Sequence, residues 1–145
     1  MAKVISIDPG KSKCGLVLAE INKKKVHQAI IIKSELIKDY VRNLNTVEKI
    51  SKIIIGNGTT SREIRGELDF FKEEIITFEE KNTTYRAKSR YFEIFPISGF
   101  KFLIPREIFI LNKNLDAVSA LIILEDYCKI KFTLNQNIDF KTWLK

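Results

Sequence analysis

The sequence predicts an α/β protein built on a mixed five-stranded sheet, three antiparallel strands followed by parallel ones, with helices on both faces. Three observations carry that expectation. Apolar runs of strand length come first and in quick succession. The hydrophobic period then changes to helical spacing. Beyond that point strand-like and helix-like segments alternate, which requires crossover connections and parallel neighbours.

The elements follow in order. Lys3 to Ile7 is a short apolar run of buried-strand type, closed by the turn signal Asp8-Pro9-Gly10. Cys14 to Ile21 is a second such run, Asn22 to Lys25 a polar turn of hairpin length, and Val26 to Lys33 a third strand rich in isoleucine. Three strands joined this closely make an antiparallel meander. From Ser34 onward, Leu36, Ile37, Tyr40, Val41, Leu44, Val47 and Ile50 recur at helical spacing. Ile53 to Ile55 is a short fourth strand ended by Gly56-Asn57-Gly58, after which Thr59, Thr60 or Ser61 can cap a second helix reaching about Phe71. Ile75 to Phe78 is the fifth strand, and a third helix begins at Thr83 or Thr84 and runs through about Phe92. Residues 94 to 114 hold Pro96, Pro105 and Gly99 and fit no single element. Leu115 to Tyr127 returns to a helical pattern, and in the mixed tail Phe132, Phe140 and Trp143 are the expected anchors.

A length of 145 residues suits one domain, expected over residues 1–145 with its core at about 3–128 and a tail at 129–145. With 45% apolar and 30% charged residues the chain is globular in composition rather than disordered. No apolar run approaches membrane-spanning length, and the first apolar stretch meets Asp8 too soon for a signal peptide, so a cytoplasmic protein is expected. Cys14 and Cys128 lie far apart without metal-type spacing, and His27 is the single histidine, which excludes a zinc site and points to buried free thiols. A net charge of +7 favours an anionic partner, nucleic acid first.

Against that basic background, certain acids stand out by position. Asp8 ends the first strand, Glu79 and Glu80 end the fifth, and Asp116 opens the last long helix, where the helix dipole favours an acid. A carboxylate at the C-terminal end of a central strand stands at the sheet edge, where loops leave room for a ligand. If strands one and five are neighbours, two of these acids meet by topology and the last helix brings the third. Clustered carboxylates repel one another and raise each other's pKa. Hard cations such as Mg²⁺ or Mn²⁺ relieve that repulsion, and two of them roughly 4 Å apart can activate a water and stabilise the leaving oxygen of a phosphodiester. Singly, each acid also reads as ordinary: Asp8 as a turn residue, Glu80 as surface charge, Asp116 as a helix cap. Spacing alone leaves both readings open.

Three segments resemble a known family. Ile5-Ser6-Ile7-Asp8-Pro9-Gly10, continuing through Gly15 to Ala19, resembles the opening strand, turn and strand of RuvC-like Holliday junction resolvases and of the related YqgF-type predicted resolvases and pre-ribosomal RNA nucleases. Phe78-Glu79-Glu80-Lys81-Asn82-Thr83-Thr84-Tyr85-Arg86-Ala87 resembles the YqgF segment Asp-Glu-Arg-x-Ser/Thr-Thr-x-x-Ala. Leu115-Asp116-Ala117 and the helix behind it are similar to that family's final acid, and Ile104-Pro105-Arg106 resembles a variant group with a longer connecting loop. The resemblance implies an RNase H-like fold and a metal-dependent endonuclease that hydrolyses phosphodiester bonds, acting on branched DNA such as Holliday junctions or on structured precursor rRNA. It implies Asp8, Glu80 and Asp116 as the catalytic ligands of Mg²⁺ or Mn²⁺, as a two-ion site. Lys81 stands where the motif has Arg, replacing a bidentate fork by a point charge, and Leu115 stands where the variant group often carries a fourth acid.

Candidate nucleic-acid contacts surround these acids. Lys11, Ser12 and Lys13 follow Asp8 directly and are placed to meet a phosphate, although a solvated turn is the plain alternative. Gly56-Asn57-Gly58-Thr59-Thr60 leads into a helix, so its free backbone N–H groups would suit a phosphate, and glycines that simply close the turn are the plain alternative. Lys81, Arg86 and Arg106, with Lys88, Arg90 and Lys101, extend the basic character, and Phe95, Phe100, Phe102 and Phe109 mix aromatics into the long loop, where packing competes with base stacking. The competing functional class is a non-catalytic nucleic-acid or ribosome-associated module. A junction resolvase would also require a homodimer, whereas an RNA-processing nuclease could act as a monomer.

Overall fold

The centre of the sheet is fixed by the first apolar run. In the computed structural model, which describes residues 2–58, 60–79, 83–94, 115–134, 138 and 143–144, β1 (Lys3–Asp8) is buried at four consecutive positions. It pairs antiparallel with β2 (Lys13–Glu20), which pairs antiparallel with β3 (Lys25–Lys33). The hairpin between β2 and β3 turns at Lys24, whose φ of 53° is left-handed. On its other side β1 pairs in parallel with β4 (Ile50–Gly56), and β4 in parallel with β5 (Glu74–Phe78). The order β5-β4-β1-β2-β3 puts β1 at the centre of a mixed sheet of antiparallel and parallel strands, as the sequence predicts.

The sheet is wider than the five strands expected. β6 (Thr133–Leu134) and β7 (Trp143–Leu144), two residues each, both pair in parallel with β3. The tail thus covers what would be an exposed edge strand, whose unpaired backbone groups are a liability. Phe132 fulfils its expected anchoring role, at 3% exposure, while Phe140 lies outside the described residues.

Helices cover both faces. A 3₁₀ turn (Ser34–Leu36) leads into α1 (Ile37–Val47), and α2 (Ser61–Glu67) follows β4. These pack on the face carrying Ile5, Ile7, Leu16, Leu18, Ile53 and Ile55. On the opposite face Val4, Val17, Ala19, Ile31 and Ile54 meet α3 (Thr83–Ile94) and α4 (Asp116–Cys128). The alternation along each strand divides its apolar side chains between these two cores. α4 is buried continuously from Ala117 to Glu125 because α3 lies against it on the side away from the sheet.

Two boundaries differ from the sequence reading. The helical stripe ends at Val47, itself 77% exposed, because the backbone turns extended at Glu48. Ile50 therefore begins β4, where it pairs with Lys3. The second helix ends at Glu67, and Leu68 and Phe71 are buried from the turn that follows. Among the described residues no helix is long and apolar enough to cross a membrane. Both thiols are free, Cys14 buried and Cys128 half-buried.

Candidate active site

Asp8 and Asp116 are placed at one edge of the sheet by a hydrogen bond, a strand register and a close backbone approach. Ser6, fully buried on β1, donates its hydroxyl to the Ala120 carbonyl of α4 at 2.7 Å. From there, two residues along β1 advance about 6.7 Å to Asp8 on the same strand face. Four residues back along α4 cover about 6 Å to Asp116. Strand and helix steps match, so the two acids reach the same sheet edge. The register confirms it: Asp8 lies opposite Gly15, and the Asp116 carbonyl sits directly on Gly15, 1.8 Å from where a Cβ would stand. A side chain of any kind at position 15 would hold the helix start away from the sheet.

The electrostatics of the neighbourhood agree. Burial pushes the Cys14 thiol above its ordinary pKa, hydrogen bonding with the Ser34 hydroxyl and the Gly10 backbone partly offsets this, and the Asp8 and Asp116 carboxylates add to the rise. Both negative charges therefore act on one side chain. Lys13 places its ammonium 3.2 Å from the Asp116 carboxylate, with the pair about a quarter to a third exposed. Asp116 is the first residue of α4, whose cap position is Leu115, so its carboxylate is not spent on capping the helix.

The third acid comes from a different direction than expected. β1 and β5 are not neighbours: β4 lies between them and separates them by two strand spacings, about 10 Å. The ends are nonetheless level, since Ile7 pairs with Ile55, and Gly56 pairs with Phe78. Phe78 closes β5 at the edge that carries Asp8, with Glu79 exposed after it. Glu80 and Lys81 lie outside the described residues, as do Arg106, Lys101 and the four phenylalanines of the long loop. Among the described residues no group of three or more His, Cys, Asp or Glu side chains is gathered for a metal ion. Asp8 and Asp116 supply two carboxylates, the oxygen-only donor type that suits a hard cation.

The other predicted contacts fall into two groups. Lys11 and Ser12 are exposed in the β1–β2 turn beside Lys13. Asn57 is exposed at the same edge, but the loop's expected free N–H groups are not free: Asn57 donates to the Phe78 carbonyl at 3.0 Å and Gly58 to Gly56 at 2.9 Å. The first bond ties the β4 and β5 ends together and engages the Asn57 N–H, and the second closes the turn after β4. Arg86 forms a two-pronged pair with Asp126, about 15 Å along α4 from Asp116. Arg90 is consumed within the protein, bonding Glu125 at 3.0 and 2.8 Å and the Phe132 carbonyl at 3.2 Å, whereas Lys88 is exposed. His27 lies 3.3 Å from Glu20, away from the acids.

Two residues that position the site have only a weak signal in the sequence. Ser6 is a lone polar residue inside an apolar strand, and Gly15 a lone glycine inside another, each a hint of close approach to another element. No family model matches the chain, and no curated protein matches it. Among solved structures it is similar to T. thermophilus RuvC in complex with Holliday junction substrate, at 12% sequence identity and a TM-score of 0.48, covering 92% of this chain and 100% of that one.

Proposed function

We propose that this chain is a divalent-metal-dependent nuclease that hydrolyses phosphodiester bonds in nucleic acid, with Asp8, Glu80 and Asp116 as the ligands of Mg²⁺ or Mn²⁺. The observation that carries the reading is the convergence of Asp8 and Asp116 on Gly15 at one edge of the sheet. Two carboxylates from opposite ends of the chain are costly neighbours unless a cation shares them. Lys13 meets part of that charge at Asp116, and its flexible stem lets the ammonium serve either the carboxylate or a phosphate oxygen. Glu80, two residues beyond the level end of β5, is the third ligand in this reading. When bound, a pair of such ions would supply an activated water and charge stabilisation at the leaving oxygen. The protein's own part is to fix the two acids on a strand and a helix rather than on loops.

Lys11, Ser12, Lys13 and the Asn57 side chain then line the approach of the strand, with Lys81 and Arg106 as further contacts. Branched DNA and structured precursor RNA both fit this chemistry, the former through a homodimer with two active sites. The deciding experiment is cleavage of a labelled four-way DNA junction, nicked duplex and precursor rRNA with Mn²⁺. Asp8→Asn, Glu80→Gln and Asp116→Asn should each abolish turnover while circular dichroism shows an intact fold. Full activity in any one of the three would refute the three-acid mechanism. No cleavage and no Mn²⁺ uptake by the wild type would favour the binding-module class instead.

A further inference from the structure

Beside the carboxylates lies a cavity of about 360 Å³ lined by Lys11, Ser12, Lys13, Lys33, Ser34 and Glu35. Its charge is hard to explain by folding alone. Lys13 and Lys33 stand directly opposite each other in the β2–β3 ladder, a position where like charges oppose pairing. Asp116 answers Lys13. Among the described residues neither Lys11 nor Lys33 has an ion-pair partner, and Glu35 pairs with neither, although it lines the same cavity.

The walls are built rather than loose. The Ser34 N–H donates to the Ser12 carbonyl at 3.0 Å, and its hydroxyl donates to the Gly10 carbonyl at 2.8 Å. These two bonds fasten the β1–β2 turn to the end of β3. At Gly10 the turn is tight enough that a Cβ would stand 2.1 Å from the Lys13 carbonyl. Three lysine stems are therefore anchored on a fixed frame, and one of them, Lys13, borders both this cavity and the acidic edge. From β1 to β3 is two strand spacings, about 10 Å, and the lysine stems at this cavity extend part of the way back toward the acidic edge.

We propose that this cavity is a phosphate subsite, holding the phosphodiester next to the one at the carboxylate edge, with Lys11 and Lys33 as its principal ligands. Compact ammonium charges suit a phosphate, and Ser12 offers a hydroxyl donor beside them. The assignment rests on the nuclease reading for the path of the strand. It adds a direction: nucleic acid leaves the acids across β2 toward β3.

The test is binding without turnover. Fluorescence anisotropy of a fluorescein-labelled DNA single strand and a four-way DNA junction is followed in EDTA over a KCl series. Lys33→Ala and Lys11→Ala should each weaken binding and reduce the slope of log K against log salt by about 0.7 on the single strand and about 0.9 on duplex arms. Lys33→Ala should melt no lower than the wild type, because it removes a like-charge pair. Lys72→Ala, an exposed lysine before β5, should leave affinity and slope unchanged. Unaltered affinity and slope in Lys33→Ala would overturn the subsite while leaving the nuclease reading standing. An equal loss in Lys72→Ala would reduce the effect to net charge and overturn it too. Wild-type protein that binds neither probe would remove the reading on which the subsite rests.

Discussion

The substitution Gly15→Ala tests how the two acids are held. An added Cβ would stand 1.8 Å from the Asp116 carbonyl oxygen, 2.2 Å from its carbon and 2.7 Å from the Ala117 nitrogen. Ordinary contact begins at 3.4 Å, so the helix start must withdraw by about 1.6 Å, the difference between 3.4 and 1.8 Å. All three atoms are backbone and none can rotate aside. Overpacking of this kind costs roughly 1–3 kcal/mol. The withdrawal also shifts Asp116 relative to Asp8 and loosens the Ser6–Ala120 bond. A misplacement near 1 Å at reacting groups costs on the order of 10²-fold in rate. Urea unfolding followed by circular dichroism reads the first effect and Mn²⁺-dependent cleavage the second. Gly66→Ala is the matched control: nothing lies within 4 Å of its Cβ position in α2, so it should stabilise by about 0.5–1 kcal/mol and leave turnover alone. Gly15→Ala that unfolds like the wild type would disprove the close approach. Lost stability with unchanged turnover would disprove the link between helix seating and the site.

Two further outcomes follow from buried groups. Arg90→Met should destabilise by roughly 3–5 kcal/mol in urea unfolding, because among the described residues it leaves the Glu125 carboxylate, 8% exposed, with the Phe132 N–H at 2.9 Å alone; a loss under about 1 kcal/mol would refute the pairing. Burial raises the pKa of Cys14 and Cys128 above the ordinary thiol value of about 8.5. A folded-state pKa above the unfolded one contributes stability that is complete below the unfolded value and lost as pH rises through the folded value, so urea resistance should decline on the alkaline side. At neutral pH a thiol reagent should reach half-buried Cys128 first and Cys14 only on unfolding; rapid native labelling of Cys14 would show that position to be open.

Much of this architecture is legible in the chain. Runs such as Val4 to Ile7 and Ile30 to Ile32 read as strands because both faces of the sheet are covered, leaving few polar interruptions. The change to helical period at Ser34 is equally direct. Boundaries fail where a pattern persists past a backbone turn, as at Ile50, whose helical spacing continues though the chain has already become β4. The two short tail strands carry no periodic signal at all, since two residues cannot display one. Arg90 shows the same limit for charge: from sequence it is one more base near a candidate groove, and only packing reveals it as Glu125's partner.

Local chemistry alone determined that this protein has a mixed sheet, helices on both faces, a basic balance, and acids at the ends of strands and at a helix start. Tertiary structure decided which of them meet. It inserted β4 between β1 and β5, seated α4 on Gly15 so that Asp116 stands at the edge that carries Asp8, and set Lys13 opposite Lys33 beside them. The physical reason is that periodicity reports which face of an element is buried, whereas register and close approach depend on partners distant in the chain. A single missing Cβ, invisible as a pattern, fixes where the helix lands.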